Sequence, residues 1–239
     1  LMALLLSVVV LRQQPPAPKG VDAPSDQFSA GRVMVLLKEM LSEGTPHVTG
    51  SADNDQVRQR IVAAFESQGY EVEIQKKLVC RGDWAGGTFT ICAEVQNIIT
   101  RLAGREAGPA LMLTAHYDSV APSPGAADDG MAVANLLEIA RLLKEEGPHR
   151  NSIVFLITDS EEQGCCLGAQ GFVDDHPWAK DVAVVLNQEA RGTSGQSYMF
   201  ETSAENAWLV DAYVSAVPQP ASSSLHYEIY RLLPNDSDL

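Results

Sequence analysis

Three apolar runs constrain this chain more than anything else in it: LMLTA (111–115), SIVFLIT (152–158) and VAVVLNQ (182–188). NSIVFLIT holds a continuous apolar stretch with no polar alternation. A strand of that kind has no face for water and must be covered on both sides. Helical segments lie between the runs. Residues 129–146 place Leu136, Leu137, Ile139, Ala140 and Leu143 on a wide apolar side and Asn135, Glu138, Arg141 and Glu145 on a polar one, and Gly147-Pro148 ends the pattern. A second helical segment is expected around 167–173. Strands alternating with helices predict an α/β fold with a doubly wound, mostly parallel sheet, mixed at its edge and flanked by helices. Its crossovers should be right-handed.

The flanking sequence fits that frame. Residues 28–43 read as a helix with Val33, Leu36, Leu37, Met40 and Leu41 on one side. TPHVTGSADND is a loop that ends in helix-start residues, and the next helix runs to about Gln68, with Gly69 as its stop. YEVEIQKKLV alternates as a strand does, FTICAEVQNIITRLAG reads as another, and SLHYEIY near the end reads as one more. Residues 1–11, LMALLLSVVVL, are too short to span a bilayer, which takes about 20 residues. Followed by the proline-rich tether of residues 12–27, they read as the remnant of a signal peptide or signal anchor, a buried strand or helix being the alternative. Residues 28–239 then read as the folded domain, expected outside the cytoplasm and attached to a membrane or secreted. The start without Met and the stop at LPNDSDL suggest a domain truncated at its C-terminus.

Net charge is −14. That argues against nucleic acid or anionic membrane as the main ligand, and most of the acids read as solvated surface. Cys80 and Cys92 flank RGDWAGG, a plausible hairpin turn, where either a disulfide or two core thiols would fit. Cys165 and Cys166 are adjacent, and adjacent cysteines seldom bond each other. With no CxxC pair, a cysteine zinc site is not expected.

The polar residues that remain stand in register with the three runs. His116 and Asp118 follow LMLTA, DSEEQG (159–164) follows SIVFLIT, and Glu189 closes VAVVLNQ. Ligands of open α/β sheets bind beyond the carboxyl ends of the strands. His116, Asp128, Glu162 and Glu189 would crowd at least three carboxylates into one pocket, and a cation is the simplest remedy for their repulsion. Imidazole with carboxylates suits zinc, with manganese, cobalt or iron as alternatives. Two ions sharing one carboxylate would use that many ligands. Asp118, two residues from His116, suits the carboxylate that accepts the other ring N–H of a ligating histidine. Glu161 and Glu162 should point in different directions, one to metal and one to substrate as general base.

HYDS, GAADDG, DSEEQG and NQEARG, in that order, resemble the zinc aminopeptidases of the secreted bacterial leucyl aminopeptidase type and their membrane-bound relatives of the endoplasmic reticulum and vacuole. PHVTGSADN and LPNDSD add to the likeness, which covers roughly residues 28–239. The intervals from His116 to Asp128, Glu161 and Glu189 are 12, 33 and 28 residues. The resemblance implies a zinc peptidase fold of the phosphorylase/hydrolase-like kind and a peptide substrate. His116 and Glu189 would bind one Zn2+, Glu162 the other, and Asp128 would bridge them, with Asp129 as the helix start. Glu161 would be the general base and Asp118 would orient His116. The family's last histidine ligand comes after the LPNDSD motif. His226 is a poor substitute, and His47, His149 and His176 read as loop residues, so the second zinc site should be incomplete. Arg191 is given no role, and Trp178 reads as a packed surface aromatic. The competing readings are a carboxypeptidase, an amidohydrolase or a glutaminyl cyclase of the same fold, and an inactive scaffold ectodomain. The amidohydrolases usually insert a domain after the EE strand, and the 27 positions between Glu162 and Glu189 leave no room for one.

Overall fold

The computed structural model describes residues 2, 6–7, 14–42, 44–83, 89–190, 195–233 and 237–239. Contacts divide the chain into two units. The larger comprises Pro18–Arg191 with Asp236–Leu239, and the smaller Leu1–Ala17 with Gly192–Asn235.

The larger unit is built on five strands, β1 (Val72–Asp83), β2 (Phe89–Leu102), β3 (Ala110–His116), β4 (Ile153–Thr158) and β5 (Val182–Asn187), in the spatial order β1-β2-β4-β3-β5. β3 runs parallel to both β4 and β5, while β2 is antiparallel to β1 and β4. The sheet is therefore mixed. Its parallel half is the one made from the three apolar runs. β4 is buried along its whole length, as a central strand must be. β5 is only partly buried, because it is the edge strand of the order above.

Helices cover both faces. α1 (Ala30–Leu41), α2 (Ala52–Ser67) and α3 (Met131–Glu146) pack on one side, where Val33, Leu37, Ile61, Phe65, Leu136 and Leu137 meet Ile98, Leu113, Phe155 and Ile157. α4 (Leu167–Asp175) lies on the other, where Phe172 meets Ile99, Met112, Val154 and Leu156. The odd and even positions of β4 thus feed opposite cores, the two-residue period of a strand at work. Side-chain oxygens of Ser29 and Ser51 accept the N–H groups of Arg32 and Asn54 and start α1 and α2. Gly147, at φ 98°, follows the end of α3.

Three local expectations change. Helix α3 begins at Met131, because Ala126–Gly130 forms a separate wide turn ahead of it. Glu138, expected on a polar face, is buried, because Arg32 of α1 and Arg141 flank it at 2.9 Å. Arg32 also donates to the carbonyls of Ala23 and Gln27, tying the preceding segment to the helix pair. SLHYEIY is not a strand: Ser224–Tyr230 is a helix, α6, capped by the Ser223 hydroxyl. In this stretch a local cap outweighs apolar alternation. α6 and α5 (Ala207–Ala216) belong to the smaller unit.

Cys80 and Cys92 face each other across β1 and β2 and are joined by a disulfide. The turn between them, residues 84–88, lies outside the described residues. So do Arg191 and all of residues 1–11 except Met2, Leu6 and Ser7. Among the described residues no helix is long and apolar enough to cross a membrane. Trp178 is half-buried, with the Arg101 guanidinium 5.3 Å from its ring centroid.

Candidate active site

The parallel register delivers the polar residues to one edge of the sheet. His116 pairs with Thr158 of β4, and Thr114 with Asn187 of β5. The chain segments carrying residues 116–118, 159–162 and 189 therefore leave the sheet side by side. His116 is buried. One ligand atom each from His116, Asp128 and Glu189 lie within 4.8 Å of one another, and so do those of His116, Glu161 and Glu162. Asp128 and Glu162 are not together in either group. Each glutamate of the EE pair brings an oxygen near His116. The loop is not regular there: Ser160 adopts φ 64° and no helix or strand follows until Leu167.

Asp118 does more than face the imidazole. Its Oδ1 accepts the N–H of Glu161 at 3.0 Å and its Oδ2 the N–H of Glu162 at 3.1 Å, so one buried carboxylate pins the backbone of both glutamates. His116 Nδ1 lies 3.1 Å from the Asp118 carbonyl and 3.5 Å from Asp118 Oδ1. With Nδ1–H donated there, Nε2 is turned to Asp128 Oδ1 at 3.2 Å. Gly125, at φ 61°, begins the turn that carries Asp128, and a Cβ there would stand 2.8 Å from the Ser119 side chain. Only glycine accepts both conditions. Asp129 faces inward instead, and its Oδ2 accepts the His116 main-chain N–H at 3.4 Å. Sequence alone does not choose between these neighbours.

The acids respond to crowding. Burial pushes the Glu161 carboxyl up to about 8, with Asp238, Glu189 and Asp118 adding to the rise and His116 opposing it. Burial and then the Asp128 charge push Glu162 up to about 7. Asp129 is raised well above the carboxylate range by burial. His116 is raised despite its burial, by Asp118 and Asp128. The Oδ1 atoms of Asp129 and Asp238 are buried with no hydrogen-bond partner among the described residues. An imidazole and several carboxylates converging at these distances, in want of positive charge, are a donor set that fits a divalent zinc-like ion.

Three participants carry no role in the sequence reading. Asp159 accepts from Thr49 Oγ1, Asn54 Nδ2 and the Gln96 N–H, locking the 47–54 loop to β2 beneath the EE pair. Burial and Asp118 raise it to about 6. His47 is buried and donates its main-chain N–H to Ser119 Oγ. Asp238 is buried against the Thr158 hydroxyl, and burial raises it to about 6. The signal was present in PHVTGSADN, DSEEQG and LPNDSD, which mark these segments without saying which atoms meet. His226, by contrast, lies on α6 edge-on to Tyr198, with ring centroids 5.1 Å apart. His149 Nε2 lies 2.7 Å from the Leu143 carbonyl, and His176 stacks on Phe172. Beside the EE loop opens a cavity of about 440 Å³ lined by Thr49, Asp55, Lys76, Glu94, Gln96 and Gln163.

Residues 97–239 match the profile of peptidase family M28. The chain belongs to that family. This M28 chain is 32% identical over 226 residues to endoplasmic reticulum metallopeptidase 1 of Rattus norvegicus, a match covering 89% of the chain and 25% of that protein. It thus spans about a quarter of the length of such curated relatives. Among solved structures it is similar to the glutaminyl cyclase of Porphyromonas gingivalis (TM-score 0.65, 22% identity, 88% of this chain and 82% of that one). It is also similar to a leucine aminopeptidase precursor from Bacteroides thetaiotaomicron (TM-score 0.63, 20% identity, 91% and 86%). At these identities the structural likeness speaks for the shared fold. It bears out the mixed α/β sheet flanked by helices.

Proposed function

We propose that this M28 chain is the catalytic domain of a zinc-dependent exopeptidase that removes N-terminal residues from peptides. The observation that carries the reading is Glu161. It is a carboxylate with a pKa raised towards neutrality, beside His116 and Glu162, on a loop held by both oxygens of Asp118. His116, Asp128 and Glu189 would hold one zinc, Glu162 would hold the other, and Asp128 would bridge. When bound, zinc supplies Lewis acidity toward a water and the scissile carbonyl.

Glu161 then takes a proton from the attacking water and returns it to the leaving amine, a transfer that works best with a pKa near the working pH. Asp118 keeps Glu161 and Glu162 in place and fixes the His116 ring. The adjacent polar cavity offers room for the peptide on the C-terminal side of the cut, and carboxylates not bound to metal would grip the free amine. Relatives named for the endoplasmic reticulum and for the vacuolar membrane support placement at a membrane, and in this reading the domain lies on its lumenal side, attached through residues 1–11. Residues 28–239 act as that domain in this reading.

The test is turnover of an aminoacyl anilide before and after chelation, with zinc counted in the same sample. Chelator-sensitive release of the aniline supports the reading. Chelator-sensitive cyclisation of an N-terminal glutamine, with no hydrolysis, would move the chain to the transferases of this fold. Metal binding with neither activity would favour a scaffold.

A further inference from the structure

Glu161 is the shared corner of two clusters. Besides its group with His116 and Glu162, it offers an oxygen within 4.8 Å of the sulfurs of Cys165 and Cys166, which also lie within that distance of each other. The proposed hydrolysis uses only the first group. Cys165 is buried and Cys166 half-buried, in the loop that leads from β4 to α4. Gly164, Cys165 and Cys166 take φ values of 100°, 44° and 67°, three left-handed residues in succession. Adjacent side chains diverge on a helix or strand. This irregular run instead brings the two sulfurs together, and they are joined as a disulfide, contrary to the expectation for neighbours in sequence. The Cys166 sulfur also lies 3.1 Å from the Ser237 carbonyl oxygen.

A disulfide offers a metal no thiolate, whereas the dithiol offers two. Thiolates select soft and borderline cations over the hard ones that carboxylates prefer. We propose that, once reduced, Cys165 and Cys166 form with Glu161 a further metal site, apart from the two zinc positions of the hydrolytic centre, for a thiophilic divalent cation such as cadmium or zinc, and that filling it withdraws Glu161 from proton transfer. The second half rests on the reading of Glu161 as the base. In the opening step an external dithiol gives two electrons and two protons, the S–S bond breaks into two thiols, and the dithiol leaves as its own disulfide. The cation then forms two metal–sulfur bonds and the thiol protons pass to solvent. In the oxidised form this site offers the cation no thiolate.

The experiment uses the full chain with its zinc, either oxidised or reduced with a dithiol that is then removed under argon. Cadmium is titrated while the ultraviolet sulfur-to-cadmium charge-transfer band and anilide turnover are followed together. Imidazole and carboxylate ligands give no such band, so cadmium in the hydrolytic centre stays silent. The expected result is one equivalent of band in the reduced protein and none in the oxidised. A Cys80→Ser/Cys92→Ser variant, which leaves only this pair to reduce, should keep it, Cys165→Ser and Cys166→Ser in that background should each abolish it, and turnover should fall as it grows. No band after reduction, or a band that survives both Cys165→Ser and Cys166→Ser, overturns the site. A band with unchanged turnover leaves the site standing and removes Glu161 from its role as base. A trivalent phenylarsenical, which needs two neighbouring thiols, gives a check on the unmutated chain. Its mass should appear on the 165–166 peptide only after reduction, and its absence there overturns the site.

Discussion

Glu138 and Glu161 are both acids set into the folded interior, and they have opposite fates. Burial would raise Glu138, but hydrogen bonds and charges from Arg141 and Arg32 overturn it and hold the carboxyl below its ordinary range. At Glu161 burial prevails, and three neighbouring acids add to it, so the carboxyl climbs to about 8. One acid was given its cations by the fold. The other stands where the fold gathers further acids around a single imidazole. Charge that the chain neutralises itself ties helices together, and charge it leaves unneutralised waits for a ligand.

The largest effect should come from removing the proposed base. Glu161→Gln keeps the shape and removes the proton acceptor, so turnover should drop by about 10²–10⁴-fold while zinc content stays unchanged. Near-normal turnover in a metal-replete variant would take Glu161 out of the chemistry.

On the other side of the comparison, Glu138→Ala leaves two guanidiniums without their acid. Urea unfolding should show a loss of about 3–5 kcal/mol, as for breaking a buried ion pair from one side, with no change in metal content. A loss under about 1 kcal/mol would mean that solvent already screens the pair.

Asp118→Asn sharpens the contrast between a carboxylate that binds and one that positions. It keeps one acceptor for the two N–H groups and weakens the hold on His116. Zinc affinity should fall by about 10–100-fold, the usual range for a residue that orients a ligand, as read by competition with a chromogenic chelator.

The smallest effect is one of pH, and the two acids should contribute with opposite sign. The folded pKa of Glu138 is depressed. Its stabilisation is therefore complete above its ordinary value of 4.5 and is lost as pH falls through the lower folded value. The folded pKa of Glu161 is raised. In chelated protein the native state holds that proton longer than the unfolded chain, so stability should decline as pH rises from 4.5 towards about 8. Saturating zinc should flatten that decline. A chelated protein equally stable at both ends of the interval, by thermal unfolding, would remove the electrostatic contrast.

Much of this was legible in the chain. The unbroken apolar stretch of residues 153–157 demanded a covered strand, and β4 is fully buried between two helical layers. His116, Glu161, Glu162 and Glu189 stood out because strand ends in such sheets gather ligands, Asp128 and the separate roles of the two glutamates came from the family resemblance, and the structure draws all five into two groups around His116. Less could be read where partners are far apart in sequence. Nothing in residues 129–146 announces that Glu138 turns inward, since its partner Arg32 is over a hundred positions away. Asp159 looked like a lead-in to the EE pair, but its acceptor role depends on Thr49, Asn54 and Gln96. Cys165 and Cys166 were misjudged because the rule for neighbours assumes regular backbone, and theirs is left-handed.

By itself the sequence determined which segments of the larger unit become sheet and helix, and which edge of the sheet collects the acids, because apolar periodicity and strand-end position are local properties of the chain. Only the tertiary structure decided which acid faces which atom: that Asp128 meets the imidazole while Asp129 meets its main chain, and that Asp118 supports the glutamates. Those choices turn on ångström distances between residues remote in sequence, and electrostatic energy in a buried site changes steeply over that range.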